Sequence, residues 1–108
     1  TDTSYPRYNI VENRQEGSYR IEVAVPGWGK KELEVLQEKE VLLVKGNKER
    51  KLGEHEHFVH QGLSLKSFER KFILNADLKV DSVEKANGLL TIALSRTPNS
   101  TRKVLEIN

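Results

Sequence analysis

The sequence contains no cysteine, one tryptophan and three prolines among 108 residues, and it has no long apolar run. Each shortage removes a class of chemistry. Without cysteine there is no disulfide frame, no thiolate metal site and no thiol nucleophile, a composition suited to a reducing compartment and hence to a cytoplasmic location. The longest uninterrupted apolar stretch is Val41-Leu42-Leu43-Val44, far below the ~20 residues of a membrane-spanning helix. No secretory leader pattern is visible.

An excess of one charge is lacking too. Eighteen Lys and Arg against 16 Asp and Glu leave a net charge of +2, without the basic surplus that polyanion binding needs. The cluster Lys45, Lys48, Arg50 and Lys51 is interrupted by Glu49 and followed by Glu54 and Glu56. It reads as a solvated loop, and no nucleic-acid partner is expected.

Catalytic and cofactor motifs are also missing. The glycines form neither the P-loop nor the dinucleotide pattern, and Gly27-Trp28-Gly29-Lys30 lacks the spacing that cradles a phosphate. Ser82-Val83-Glu84-Lys85 fits S-x-x-K without its companion motifs. There is no G-x-S-x-G elbow, and the sequon Asn99-Ser100-Thr101 carries no meaning for a cytosolic chain. No catalytic residue and no cofactor are expected. His55, His57 and His60 are the one possible metal set: in an extended segment His55 and His57 share a face, with Glu54 or Glu56 beside them. No distant third ligand is evident, so a solvated or subunit-contact role is the expected one. There, histidine titration could tune assembly below neutral pH.

What is present is a period of two. Tyr19, Ile21, Val23 and Val25 alternate with polar or small residues until Pro26-Gly27. Phe68, Phe72 and Leu74 share one parity, Arg70 being the exception on that face, and Leu90, Ile92 and Leu94 follow the turn signal Asn87-Gly88. Alternation of this kind marks half-buried strands, and Tyr8 and Ile10 add a weaker one. Residues 30–44 stay open between a helix, from their Lys, Glu, Leu and Gln content, and two short strands about a polar turn. Three stretches read as connections: Gly46 to Gly62, with Phe58 and Val59 near its far end; Asp77 to Lys85; and Ser95 to Lys103, after which comes Val104-Leu105-Glu106-Ile107. Many short strands between turn signals predict an all-β sandwich of one domain.

Five blocks, in order, resemble the small heat shock protein (Hsp20, α-crystallin domain) family, and its bacterial inclusion-body-binding members in particular. They are Tyr5-Pro6-Arg7-Tyr8-Asn9-Ile10; Pro26-Gly27-Trp28 with Lys31, Leu33 and Val35; Gln61-Gly62 followed by Phe68-Glu69-Arg70-Lys71-Phe72; Asn87-Gly88-Leu89-Leu90; and Arg102-Lys103-Val104-Leu105-Glu106-Ile107-Asn108. The G-to-F gap in the third block is longer than the family pattern, as in inclusion-body-binding members.

The resemblance implies an immunoglobulin-like two-sheet sandwich over residues 1–95, strands at 32–38 and 41–48, and a strand-swapping loop over about 46–62. A linker and tail would follow over 96–108. It implies that His57, Phe58, Val59, His60 and Gln61 pair with the strand of Tyr8 and Ile10 in a partner. It further implies that Leu105 and Ile107 dock in a neighbour's groove formed by Leu33, Val35 and Val83. The turn Asn87-Gly88 with Leu90 is the family's hallmark. The family's apolar N-terminal arm is not in this sequence. The implied activity is that of a non-enzymatic, ATP-independent stress-response chaperone of the holdase type. Its partners would be unfolding clients, a homodimer, and a higher homo-oligomer or a co-oligomer with a paralogue. The alternatives are a β-sandwich co-chaperone or adaptor, and a histidine-based metal protein.

Overall fold

The computed structural model describes residues 5–47, 51–62 and 66–97. These form strands β1 (Tyr8–Asn13), β2 (Ser18–Ala24), β3 (Leu33–Glu38), β4 (Val41–Gly46), β5 (Phe68–Ile73), β6 (Leu78–Ala86) and β7 (Leu89–Arg96), with one 3-10 turn at Lys30–Glu32. Two antiparallel sheets result, one ordered β1-β2-β7-β6 and the other β3-β4-β5. The all-β sandwich expected from the alternation is what forms.

The period-two residues make its core. Ile21 and Val23 of β2, Leu42 and Val44 of β4, Phe72 of β5, and Leu90, Ile92 and Leu94 of β7 are all buried, together with Val25, Trp28 and Leu74. The open question over residues 30–44 resolves into strands. Leu42 and Val44 are fully buried while Val41 and Leu43 are only half-buried, a two-residue alternation that a helix of the same sequence would break up. The helix formers before them yield a single 3-10 turn. The two strands lie within a residue or two of their expected bounds, with residue 48 outside the described set.

Turn chemistry joins the strands. The Asn13 side-chain oxygen accepts from the backbone N–H groups of Gln15 and Glu16, each at 3.1 Å, which shapes the β1–β2 turn. Asn87 and Gly88 both have positive φ, 53° and 77°, as a two-residue hairpin matched to the sheet twist requires. One end of the sandwich is plugged by aromatics: Trp28 Nε1 donates to the Tyr5 hydroxyl at 3.2 Å, and Phe68 meets both rings edge-on.

Two boundaries differ from those read off composition. Residues 77–85, expected as a connection, are mostly strand β6. Its ladder with β7 shifts register between Val80 and Ser82, so Val80 faces Leu94 and Val83 faces Ile92. This bulge puts two valines three residues apart on the same inner face, which hides them from a period-two reading. The linker also starts later than Ser95. β7 continues to Arg96, whose Nη1 donates to Asp77 Oδ2 at 2.7 Å while Thr97 N–H donates to the Asp77 carbonyl.

Candidate functional site: two open mouths of the sandwich

A four-stranded sheet over a three-stranded one leaves inner-face side chains uncovered at both edges. At one mouth β3 lies opposite β6. Leu33 and Val35 project from β3 and Val83 from β6, and together with Leu90, Ala86, Glu84, Lys85 and Lys30 they line one groove of about 690 Å³. Leu90 is the buried floor, and Val83 is 43% exposed despite facing inward. The three residues expected to form a groove are therefore brought together. What occupies the groove is a separate question. Lys85 stands opposite Leu90 in the ladder, so it too leaves the inner face, and it is half-buried. Sequence reading missed Lys30 and Lys85. Only the register of β6 on β7 reveals Lys85 as inward-facing.

The second mouth lies between β1 and β5. Tyr8 pairs with Val23 and Ile10 with Ile21, which puts both on the core face. The Tyr8 ring meets Phe72 edge-on at 5.0 Å, and the Arg70 guanidinium sits 4.7 Å over the Tyr8 ring. Arg70, the polar exception in the β5 pattern, thus points inward at a sheet edge, a device that discourages uncontrolled edge pairing. Ile10 nevertheless remains 57% exposed. With Tyr8, Phe72, Ile73, Leu78 and others it lines a cavity of about 390 Å³. Among the described strands β1 pairs only with β2, so none of them covers its outer edge.

His57, Phe58, Val59, His60 and Gln61 lie in the exposed loop between β4 and β5 and form no strand within the chain. Val59 is 94% exposed. The base of this loop is clasped, Ser67 Oγ donating to Asn47 Oδ1 at 3.0 Å. Among the described residues no strand pairing joins 57–61 to Tyr8 and Ile10 of the same chain. Leu105 and Ile107 lie outside the described residues. Asn87, Gly88 and Leu90 sit where their turn motif places them, with Leu90 buried beneath the first groove.

His55 Nε2 is 3.5 Å from Glu54 Oε2, both well exposed. Among the described residues no group of three or more His, Asp or Glu is placed to hold a metal ion. The Glu22 carboxyl is held below its ordinary pKa by the hydrogen bond from Arg20, then by that from Asn9. The Arg96 guanidinium is held above its own, first by its bond to Asp77. Glu22 is half-buried and reaches Arg20 within β2 and Asn9 on β1, while Arg96, at the exposed end of β7, reaches Asp77 just ahead of β6. No described helix is long and apolar enough to cross a membrane.

Known proteins share this architecture. The model of the Hsp20/alpha crystallin family matches residues 11–108. The small heat shock protein IbpA of Yersinia pestis (strain Pestoides F) is 38% identical over 92 residues, covering 85% of this chain and 66% of that protein. The chain thus spans just under two thirds of the length of that relative. Among solved structures, a small heat shock protein from Synechococcus phage S-ShM2 superposes with a TM-score of 0.73 at 35% identity, over 90% of this chain and 92% of the other. C-terminally truncated AgsA, a small heat shock protein from Salmonella typhimurium, gives a TM-score of 0.73 at 28% identity, covering 88% and 91%. With its motifs, its two-sheet topology and these likenesses in agreement, the chain belongs to the Hsp20/α-crystallin family of small heat shock proteins.

Proposed function

We propose that this chain is an ATP-independent holdase that binds partly unfolded proteins and keeps them from aggregating, acting in the cytoplasm as a dimer-based oligomer. The observation that carries the reading is apolar side chains of the inner sheet faces, Ile10 and Val83 above all, standing open to solvent at the mouths of the sandwich. Exposed apolar surface beside an open strand edge is what an unfolding client can cover with its own apolar segments. Each square ångström so buried contributes about 25 cal/mol. The mechanism requires no bond-making residue and no nucleotide. Release of the client then falls to other machinery.

In the same reading, dimers form when residues 57–61 of one subunit add to the open edge of β1 in another. Larger assemblies form when the tail residues Leu105 and Ile107 enter the Leu33–Val35–Val83 groove of a neighbour. The activity is tested by light scattering from a thermolabile enzyme heated with increasing amounts of this protein and no nucleotide. Scattering is expected to fall as the chaperone-to-client ratio rises. Suppression that appears only when ATP is supplied would refute the proposal.

A further inference from the structure

The groove between β3 and β6 carries charge as well as an apolar lining. Lys85 enters it from the inner face of β6 and Lys30 from the 3-10 turn ahead of β3. Neither makes an ion pair with a described residue, although other lysines of this chain do, such as Lys45 with Glu69 and Lys79 with Asp81. The one acidic residue in the lining, Glu84, lies opposite Thr91 on the other face of β6. The groove therefore presents two unpaired ammonium groups beside Leu33, Val35, Val83 and Leu90.

We infer that Lys30 and Lys85 make the groove selective for an acidic residue held between two apolar ones, and that its occupant is Leu105-Glu106-Ile107 of a second subunit. The inference rests on the tail-docking reading given above and adds a determinant of specificity to it. In an extended segment Leu105 and Ile107 share one face and Glu106 takes the other. When the two aliphatic side chains fill the groove, the carboxylate is left at its rim. Lysine stems can lie along apolar walls while their ammonium groups stay at the water boundary, which puts the positive charges at the level of that carboxylate. Arg102 and Lys103 precede the tripeptide, so Glu106 is the one anionic side chain that the segment 101–108 offers. The charge pair contributes more to choosing among partners than to holding them, because rim charges are screened by water and salt.

The test uses labelled peptides of the sequence 101–108 with Glu106 intact, as Glu106→Gln, and as Glu106→Lys. Each is titrated by fluorescence anisotropy at low salt with the full chain carrying Leu105→Ala and Ile107→Ala, so that its own tail does not compete. The native peptide is expected to bind about threefold tighter than the neutral one and about tenfold tighter than the lysine one, with the contrast shrinking as salt is added. Lys30→Glu with Lys85→Glu, on the same background, is expected to invert that order. Equal affinities for the three peptides, or a ranking that charge reversal leaves unchanged, overturn the selectivity while leaving the docking reading in place. If none of the three peptides binds, the native one included, both fall together.

Discussion

At the scale of single residues, Gly46 shows how one missing side chain shapes the aromatic end of the sandwich. It closes β4, lies opposite both Leu33 and Phe68, and is buried. A Cβ built on it would press against Cε2, Cδ2 and Cζ of the Phe68 ring, closer than carbon atoms approach in real structures. The ring in turn meets Trp28 at 5.2 Å and Tyr5 at 5.7 Å. Adding one methyl therefore forces the aromatic cluster to shift, a change of the overpacking kind that costs about 1–3 kcal/mol. Gly46→Ala is expected to lower stability by that amount in chemical denaturation. Trp28, the single tryptophan and 2% exposed, provides the fluorescence signal. A variant as stable as the parent would mean that the ring is free to move away. In the sequence Gly46 looks like the opening of a loop, and nothing there shows that an aromatic ring lies against it.

Among the elements, the connection between β4 and β5 and the strand β6 were legible to different degrees. The connection stands out by length and polarity, and the structure adds that Asn47 and Ser67 clasp its base while Val59 at its far side faces solvent. β1 meanwhile has an edge that no described strand covers, with Tyr8 and Ile10 on its inner face. An edge strand and an exposed apolar residue such as Val59 are each a liability that mutual pairing would reduce. Replacing residues 49–61 by a four-residue turn, with Asn47 and Ser67 retained, is expected to leave the sandwich folded and to shift the protein from dimer to monomer in sedimentation velocity. A shortened variant that still sediments as a dimer would rule out strand exchange as the dimer contact. β6, by contrast, was concealed. Its bulge breaks the alternation, and it is an edge strand with much of its surface in water, so composition alone gives it the look of a loop.

For the whole molecule, the assembly proposed above turns on reach and multiplicity. Because β7 runs to Arg96, eight residues separate its end from Leu105, a leash of at most about 29 Å when extended. That is enough to leave one domain and enter a neighbour's groove. Each aliphatic side chain buried there contributes roughly 1.5–3 kcal/mol before the cost of ordering the segment, so one contact is weak and many in a closed assembly are not. Leu105→Ala with Ile107→Ala is expected to keep the dimer folded and to abolish larger assemblies in size-exclusion chromatography with light scattering. If the double variant elutes at the parent's size, the tail is not the connector.

The sequence by itself determined the fold class, most of the core and the turns. Alternation of apolar residues places Ile21, Val23, Ile92 and Leu94 on one face whatever else surrounds them, and Asn87-Gly88 satisfies its turn through local backbone preference. Leu33, Val35 and Val83 as groove residues came from the resemblance to the family and not from the chain's own pattern. Only the tertiary structure decided which charges share that groove and which inner faces lie uncovered. Both depend on how one sheet is offset over the other and on a bulge at Val80/Ser82. Such long-range geometry leaves no periodic trace, because Lys30 and Lys85 are 55 positions apart in the chain and meet only where β3 and β6 face each other across the mouth of the sandwich.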